Sequence, residues 1–140
     1  MPAQPLKVAS LGMGWWSDVL ADAIQRSSKL KIVSCCTRSE QKRAAFAGKY
    51  GCKPAASYEE ILADRNIEAV INTTPNNVHR VSTVAAAMAG KHVFLDKPIA
   101  ERPHQRCEVA SGRDYSRQFR YWQPHAYIGG RVVQGCRSEV

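Results

Sequence analysis

The 140-residue sequence predicts an α/β fold: a doubly wound parallel sheet of five strands, followed by an irregular C-terminal tail. Three observations carry this prediction. Short apolar runs alternate with segments of helical spacing, giving strand–helix units in succession. The runs are apolar almost throughout rather than at every second position, as strands covered on both faces are. The unusual residues fall just after successive runs, where right-handed crossovers bring them to one edge of the sheet.

Taken in order, Lys7–Leu11 reads as the first strand and Trp15–Arg26 as the first helix, with Val19, Leu20, Ala23 and Ile24 at helical spacing. Leu30–Cys36 is a second buried strand, after a Ser27-Ser28-Lys29 turn. Ser39 caps a second helix, Glu40–Tyr50, which stops at Gly51. Lys53–Ala56 is at best a short third strand. Ser57 and Glu60 have the spacing of a capping box, opening a third helix that runs through Ile61 and Leu62. Glu68–Thr73 is the fourth strand. Asn76 or Asn77 caps a fourth helix running to about Met88, Gly90 ends it, and His92–Leu95 is the fifth strand.

Composition bounds the function. A chain of this length is one domain, and no apolar run approaches the ~20 residues of a membrane span. The opening residues, Met1 to Lys7, contain no apolar signal region, so a cytoplasmic location is expected. Five cysteines without a Cys-x-x-Cys pair read as free thiols, and no metal site is expected. Cys35 and Cys36, adjacent on a strand, should face opposite sides of the sheet. The net charge is +8, yet all eight lysines precede Glu101, whereas the basic residues after it are arginines.

The first strand leads into Gly12-Met13-Gly14-Trp15-Trp16-Ser17 and then a helix, the context in which a glycine turn binds a dinucleotide. Gly12 allows the tight turn, and Gly14 removes a side chain so that a pyrophosphate can approach the backbone at the helix N-terminus. Ser17 holds the third position, where a small residue lets helix and strand pack and a hydroxyl can cap the helix or meet a phosphate. One of Trp15 and Trp16 is expected to pack on the sheet, with the other facing the cofactor or a partner domain. At the end of the second strand, Cys36-Thr37-Arg38-Ser39 lacks the acid that an NAD site places near the ribose 2′-hydroxyl. Arg38 can instead pair with a 2′-phosphate, helped by Thr37, Ser39, Lys42 or Arg43, which favours NADP over NAD. The alternative leaves Arg38 as a solvated helix-start residue.

Thr74-Pro75-Asn76-x-x-His79, together with Ala89-Gly90-Lys91-His92-Val93-Phe94-Leu95-Asp96-Lys97-Pro98, resembles the Gfo/Idh/MocA family of glucose–fructose oxidoreductases and inositol dehydrogenases over residues 6 to 100. The resemblance implies a Rossmann domain that holds NADP or NAD. It implies pyrophosphate contacts from Gly12, Gly14 and Ser17, and ribose contacts from Thr37 and Arg38. Thr74, Pro75 and Asn76 would line the cofactor, with His79 nearby. Lys97 would be the catalytic residue beside the nicotinamide and the substrate hydroxyl, able to polarise an oxygen during hydride transfer. Asp96 stands where the family has Glu, one carbon shorter. The implied substrate is the hydroxyl or ketone of a sugar, cyclitol or dihydrodiol. Oligomeric state is left open.

Residues 1–100 thus form the dinucleotide-binding domain, and the resemblance stops there. The family's substrate domain has no counterpart in residues 101–140, an Arg-rich stretch without strand or helix period. The stretch reads as poorly ordered or translated out of frame, which the coding DNA decides, and the chain alone is expected to bind cofactor without turnover. Two other readings compete: a non-catalytic nucleotide-binding or regulatory module, and nucleic-acid binding through Arg117-Gln118-Phe119-Arg120-Tyr121-Trp122. The last is the weakest.

Overall fold

A computed structural model describes residues 4–100, and every expectation for residues 101–140 lies outside the described residues. The elements are β1 (Leu6–Leu11), α1 (Trp15–Gln25), β2 (Leu30–Cys36), α2 (Glu40–Tyr50), β3 (Lys53–Pro54), α3 (Tyr58–Ala63), β4 (Ala69–Asn72), α4 (Asn76–Met88) and β5 (His92–Leu95). They form one all-parallel sheet in the order β3-β2-β1-β4-β5. The chain winds from β1 out to β3, then crosses back to place β4 on the other side of β1. The strand order therefore reverses at the β1–β4 seam, where open α/β sheets bind ligands beyond the strands' carboxyl ends.

Both faces of the sheet are covered, as the continuous apolar runs require. Val8, Ile32, Cys35, Ala69 and Ile71 meet α1 and α2 through Ala21, Ile24, Phe46, Ala47 and Tyr50. On the opposite face Ala9, Leu11, Val70, Val93 and Leu95 meet Ile61 of α3 and Ala86 of α4. A bulge in the β1–β2 pairing, between Val8 and Ala9, inserts one extra residue in β2. Cys35 accordingly lies in the first cluster and Cys36 packs against the second. Among the described residues Cys35, Cys36 and Cys52 are free thiols.

Local chemistry sets the ends of the helices. The Lys42 N–H donates to the Ser39 side chain, and Gly51 takes a left-handed φ of 65° to close α2. The Glu60 N–H donates to Ser57 Oγ, while the Glu60 carboxylate accepts from the Ala56 N–H, one residue before the usual capping-box partner. α4 departs from the prediction. Its cap is Pro75, in extended geometry and without a side-chain cap, so Asn76 and Asn77 are both helical and exposed. The physical reason lies just upstream: Asn72 Oδ1 accepts from the Thr74 N–H and hydroxyl, turning the chain before an asparagine cap is needed. α1 departs as well. Its buried residues are Ser17, Ala21 and Ile24, so Val19 and Ala23 are exposed, while Leu20 packs at the cluster's margin.

At the outer side of α1 and α2, the Tyr50 hydroxyl lies 2.9 Å from both Asp18 Oδ1 and Asp22 Oδ1. Lys49 completes the group with ion pairs at 3.4 and 3.8 Å. The two carboxylates are one helical turn apart and would repel each other without these partners. Among the described residues no helix is long and apolar enough to cross a membrane.

Candidate functional site

The strand ends are level. Leu11 pairs with Cys36 on one side and with Asn72 on the other, and Asn72 pairs with Leu95. The next residue of each strand, Thr37, Gly12, Thr73 and Asp96, therefore begins a loop on the same rim. Backbone bonds hold these loops in line: Gly12 N–H donates to Cys36 O (3.0 Å), Thr73 N–H to Leu11 O (2.9 Å) and Asp96 N–H to Asn72 O (3.0 Å). The glycine turn, the Arg38 corner, the Thr-Pro-Asn turn and the Lys-Pro turn are thus brought together as one strip.

Within the strip the two glycines do different things. Gly12 sits at φ 81°, and a Cβ there would lie 2.7 Å from the Thr73 carbonyl oxygen. Its identity is demanded by the protein itself, which packs the Thr-Pro-Asn turn against it. Gly14 is the N-cap of α1 in extended geometry, at φ −108°, and a Cβ there would meet nothing within 4 Å. No internal packing asks for glycine at 14, and no side chain caps the helix. An open space over a helix N-terminus suits an approaching anionic group, so the residues present fit a dinucleotide.

Ser17 takes the packing role of a small third residue, on the inner face of α1. It is buried, and its hydroxyl donates to the Gly14 carbonyl at 2.6 Å, bracing the turn from inside. Met13 packs beside the first cluster. The tryptophans correct the expectation: Trp15 is 77% exposed, Trp16 39%, and neither belongs to a core cluster. The helix turns its Ser17–Ala21–Ile24 stripe inward, which leaves both rings outside, 5.7 Å apart by centroid.

At the second-strand corner, Arg38 and Lys42 are exposed. Arg43 is not available in the same way, because its Nη1 donates to the Thr37 carbonyl (3.2 Å) and the Ala56 carbonyl (3.5 Å). It braces the corner from below. Ser39 is engaged as the α2 cap. The rim therefore offers Arg38 and Lys42 to a ligand, with Thr37 half-buried between them and the sheet.

Two residues that sequence reasoning passed over build the central turn. Asn72 is fully buried; its Nδ2 donates to Ser82 Oγ and Thr83 Oγ1, and its Oδ1 holds Thr74. The Thr73 hydroxyl reaches both the Leu11 and the Gly12 carbonyls. A polar residue ending the apolar run Ala69-Val70-Ile71 was the available signal for Asn72. Pro75 and Asn76 are exposed on the rim, while the Thr74 side chain turns inward. His79 is buried, and both its ring nitrogens face backbone carbonyls, so no polar atom of the ring is left to meet a cofactor.

Lys97 is exposed at the end of the strip, before a cis Lys97–Pro98 bond. Its N–H donates to Asp96 Oδ1 (2.8 Å), so the shorter acid is spent on the turn's own backbone. The lysine side chain extends from a backbone fixed on both sides, an arrangement able to polarise a ligand oxygen. Two hollows of about 300 and 350 Å³ open at the opposite edge, where strands begin, and are joints between helices and strands. Among the described residues no cluster of side chains could hold a metal ion.

Comparisons with known proteins agree with this geometry. The family GFO_IDH_MocA, described as "Oxidoreductase family, NAD-binding Rossmann fold", matches residues 6–111. The 4-carboxy-2-hydroxymuconate-6-semialdehyde dehydrogenase of Sphingobium sp. (strain NBRC 103272 / SYK-6) is 28% identical, over 93% of this chain and 44% of the relative. The 1,5-anhydro-D-fructose reductase of Ensifer adhaerens is 40% identical over 54% of this chain and 23% of the relative. The chain thus spans less than half the length of these curated relatives. Among solved structures, biliverdin reductase from Synechocystis sp. PCC 6803, in complex with biliverdin and NADP+, superposes with a TM-score of 0.76 at 27% identity, covering 84% of this chain and 37% of that one. On this match, the level rim and the strand order, the chain belongs to the GFO_IDH_MocA oxidoreductase family and forms its NAD-binding Rossmann domain.

Proposed function

We propose that this domain lays a nicotinamide dinucleotide along the rim, NADP in preference to NAD. In this reading it is the cofactor half of an oxidoreductase acting on a hydroxyl or ketone of a sugar, cyclitol or dihydrodiol. The observation that carries the reading is the open space above Gly14, on a rim where four strands end level. The Gly14 to Ser17 backbone would receive the pyrophosphate. Arg38, with Lys42 beside it and Thr37 at its base, would receive the adenosine ribose and its 2′-phosphate. Thr74, Pro75 and Asn76 would line the middle of the strip, and Lys97 would meet the reacting oxygen of the substrate. The bound nicotinamide supplies the hydride acceptor or donor. Lys97 holds or releases a proton near the oxygen that changes bond order. The small molecules named for relatives, such as 1,5-anhydro-D-fructose, support the substrate class.

Calorimetric titration with NADPH and NADH, for the wild type and for Arg38→Asp, tests the assignment. NADPH should bind more tightly than NADH. Arg38→Asp should weaken NADPH about tenfold to a hundredfold, the range of a charged hydrogen bond of about 1.5–3 kcal/mol, and leave NADH nearly unchanged. Tighter NADH binding to the wild type, or an indifferent charge reversal, would overturn the NADP preference.

A further inference from the structure

Two of the free thiols meet at the first core cluster. Cys35, near the end of β2, is fully buried. It pairs with Pro54 in the ladder, and Cys52, two residues before Pro54, falls on the same side of the sheet. Cys52 is half-buried there, in the exit between Gly51 and β3. The Cys35 S–H has two acceptors within reach, the Arg43 carbonyl oxygen at 3.7 Å and the Cys52 sulfur. The thiol–thiol hydrogen bond holds Cys52 below its ordinary value and, together with burial, pushes Cys35 up. The pair is therefore unequal: Cys52 is the readier thiolate, and of the two it is the one open to solvent. Cys36 stands apart although it adjoins Cys35. It packs against the second cluster, on the other side of the sheet, and burial pushes its thiol up.

We propose that Cys35 and Cys52 form an oxidant-sensitive dithiol, closed by hydroperoxides into a disulfide beneath the Arg38 corner. The Cys52 thiolate attacks one oxygen of hydrogen peroxide. The O–O bond breaks, the other oxygen leaves as hydroxide and takes a proton from solvent, and Cys52 becomes a sulfenic acid. Cys52 then no longer presents the thiolate that holds the Cys35 proton. The Cys35 sulfur attacks the Cys52 sulfur, the S–O bond breaks as the S–S bond forms, and the Cys35 proton leaves with the hydroxyl group as water. The two thiols lose two electrons between them, and one peroxide is reduced to two waters. The sulfurs must close from hydrogen-bond contact to about 2.05 Å. Cys52 can supply that movement, because it lies outside both α2 and β3, and β3 is an edge strand of 2 exposed residues. The loop closed by the bond contains α2 and the whole Thr37-Arg38-Ser39 corner. Oxidation also takes the S–H away from the Arg43 carbonyl, and Arg43 is the residue that braces the Thr37 carbonyl. In a reducing compartment such a bond is transient and registers oxidant.

Treatment of the full chain with hydrogen peroxide tests the proposal, and no nucleotide is present, so its failure and that of the cofactor reading are separate. With the remaining thiols blocked, tryptic mass mapping should find the peptide Ile32–Arg38 joined to Tyr50–Arg65, lighter by two hydrogens and parted again by a reducing agent. The link should persist in Cys36→Ser, where Cys35 is the first peptide's one thiol, and vanish in Cys52→Ser. In Cys35→Ser, dimedone, which captures sulfenic acids, should label Cys52. On oxidation of the nitrogen-15-labelled chain the Thr37 and Arg38 amide resonances should move while that of Lys97 stays. Loss of the link in Cys36→Ser, or a link from Cys52 to Cys107 or Cys136 in its place, would overturn the dithiol. A bond that leaves Thr37 and Arg38 unmoved would overturn its connection to the corner. If Cys35→Ser fails to fold, the Cys36→Ser map decides the pairing by itself.

Discussion

Gly12 and Gly14 are two residues apart in one motif, yet the structure predicts opposite consequences for replacing them with alanine. At Gly12 the new Cβ would sit 2.7 Å from the Thr73 oxygen and 2.9 Å from both the Thr73 carbon and the Thr74 nitrogen, all of them backbone atoms. The φ of 81° adds the left-handed penalty of about 1–2 kcal/mol for a residue with a Cβ. Forcing a methyl against backbone that cannot retreat adds about 1–3 kcal/mol. The sum, about 2–5 kcal/mol, is a large fraction of the ~5–15 kcal/mol that holds a typical domain. At about 4–8 °C per kcal/mol it lowers the midpoint by roughly 8–40 °C. Gly14→Ala meets no atom within 4 Å and keeps an ordinary extended backbone, so the fold should keep its stability within about 1 kcal/mol. Its methyl group instead fills the space left for the ligand, and NADPH affinity should drop. Thermal unfolding by circular dichroism without nucleotide, followed by calorimetric titration of each folded variant, separates the two. A Gly12→Ala variant as stable as the wild type would refute the packing argument. A Gly14→Ala variant that binds NADPH normally would refute the claim that the space serves a ligand.

Two further outcomes follow from the same contacts. Burial, together with the hydrogen bonds to Asp22 and Asp18, raises the Tyr50 hydroxyl from 10.0 to about 12, against a lowering effect of Lys49. A group whose folded value is raised stabilises fully below its unfolded value and loses that contribution as pH climbs through the folded one. The stability difference between wild type and Tyr50→Phe, measured by urea unfolding, should therefore be flat below about pH 10 and shrink between about pH 10 and 12; a difference that grows there would contradict the assignment. Asn72→Ala removes the side chain that ties the central turn to α4 and takes a hydrogen-bond partner from Ser82, Thr83 and Thr74, so a loss of about 2–4 kcal/mol in the same assay is expected. A loss below about 0.5 kcal/mol would mean that the turn is held by other contacts.

Much of the fold was legible because its signals are local. The ranges of β2, α2 and β5 coincide with those read from apolar runs and caps, since Ser39, Gly51 and Gly90 act within a turn of where they stand. β3 shrank to Lys53–Pro54: the Ala55 N–H still reaches Cys35 O, but the Ala56 N–H is taken by the Glu60 carboxylate of the next helix. The site shows the same division. The glycine turn, the arginine corner and the Lys-Pro turn could be placed on one rim from strand order alone. What holds them could not: Thr73 reaches Gly12 across 61 residues, and Asn72 supports a turn on one side and a helix on the other. Arg43 and His79 looked like candidates for the ligand because their types suit one, and the structure engages both with backbone carbonyls. Residue type announces chemistry, but burial and partners decide whether that chemistry is turned outward.

The measurement that tests the account most directly is a proton–nitrogen amide titration of the labelled chain with NADPH. The account predicts that the resonances of Gly14, Trp15, Trp16, Arg38, Thr74, Asn76 and Lys97 move together with one dissociation constant, while those around Ser27, Gly51 and His92 at the far edge stay fixed. Movement confined to the far edge, or no movement at millimolar NADPH, would contradict it.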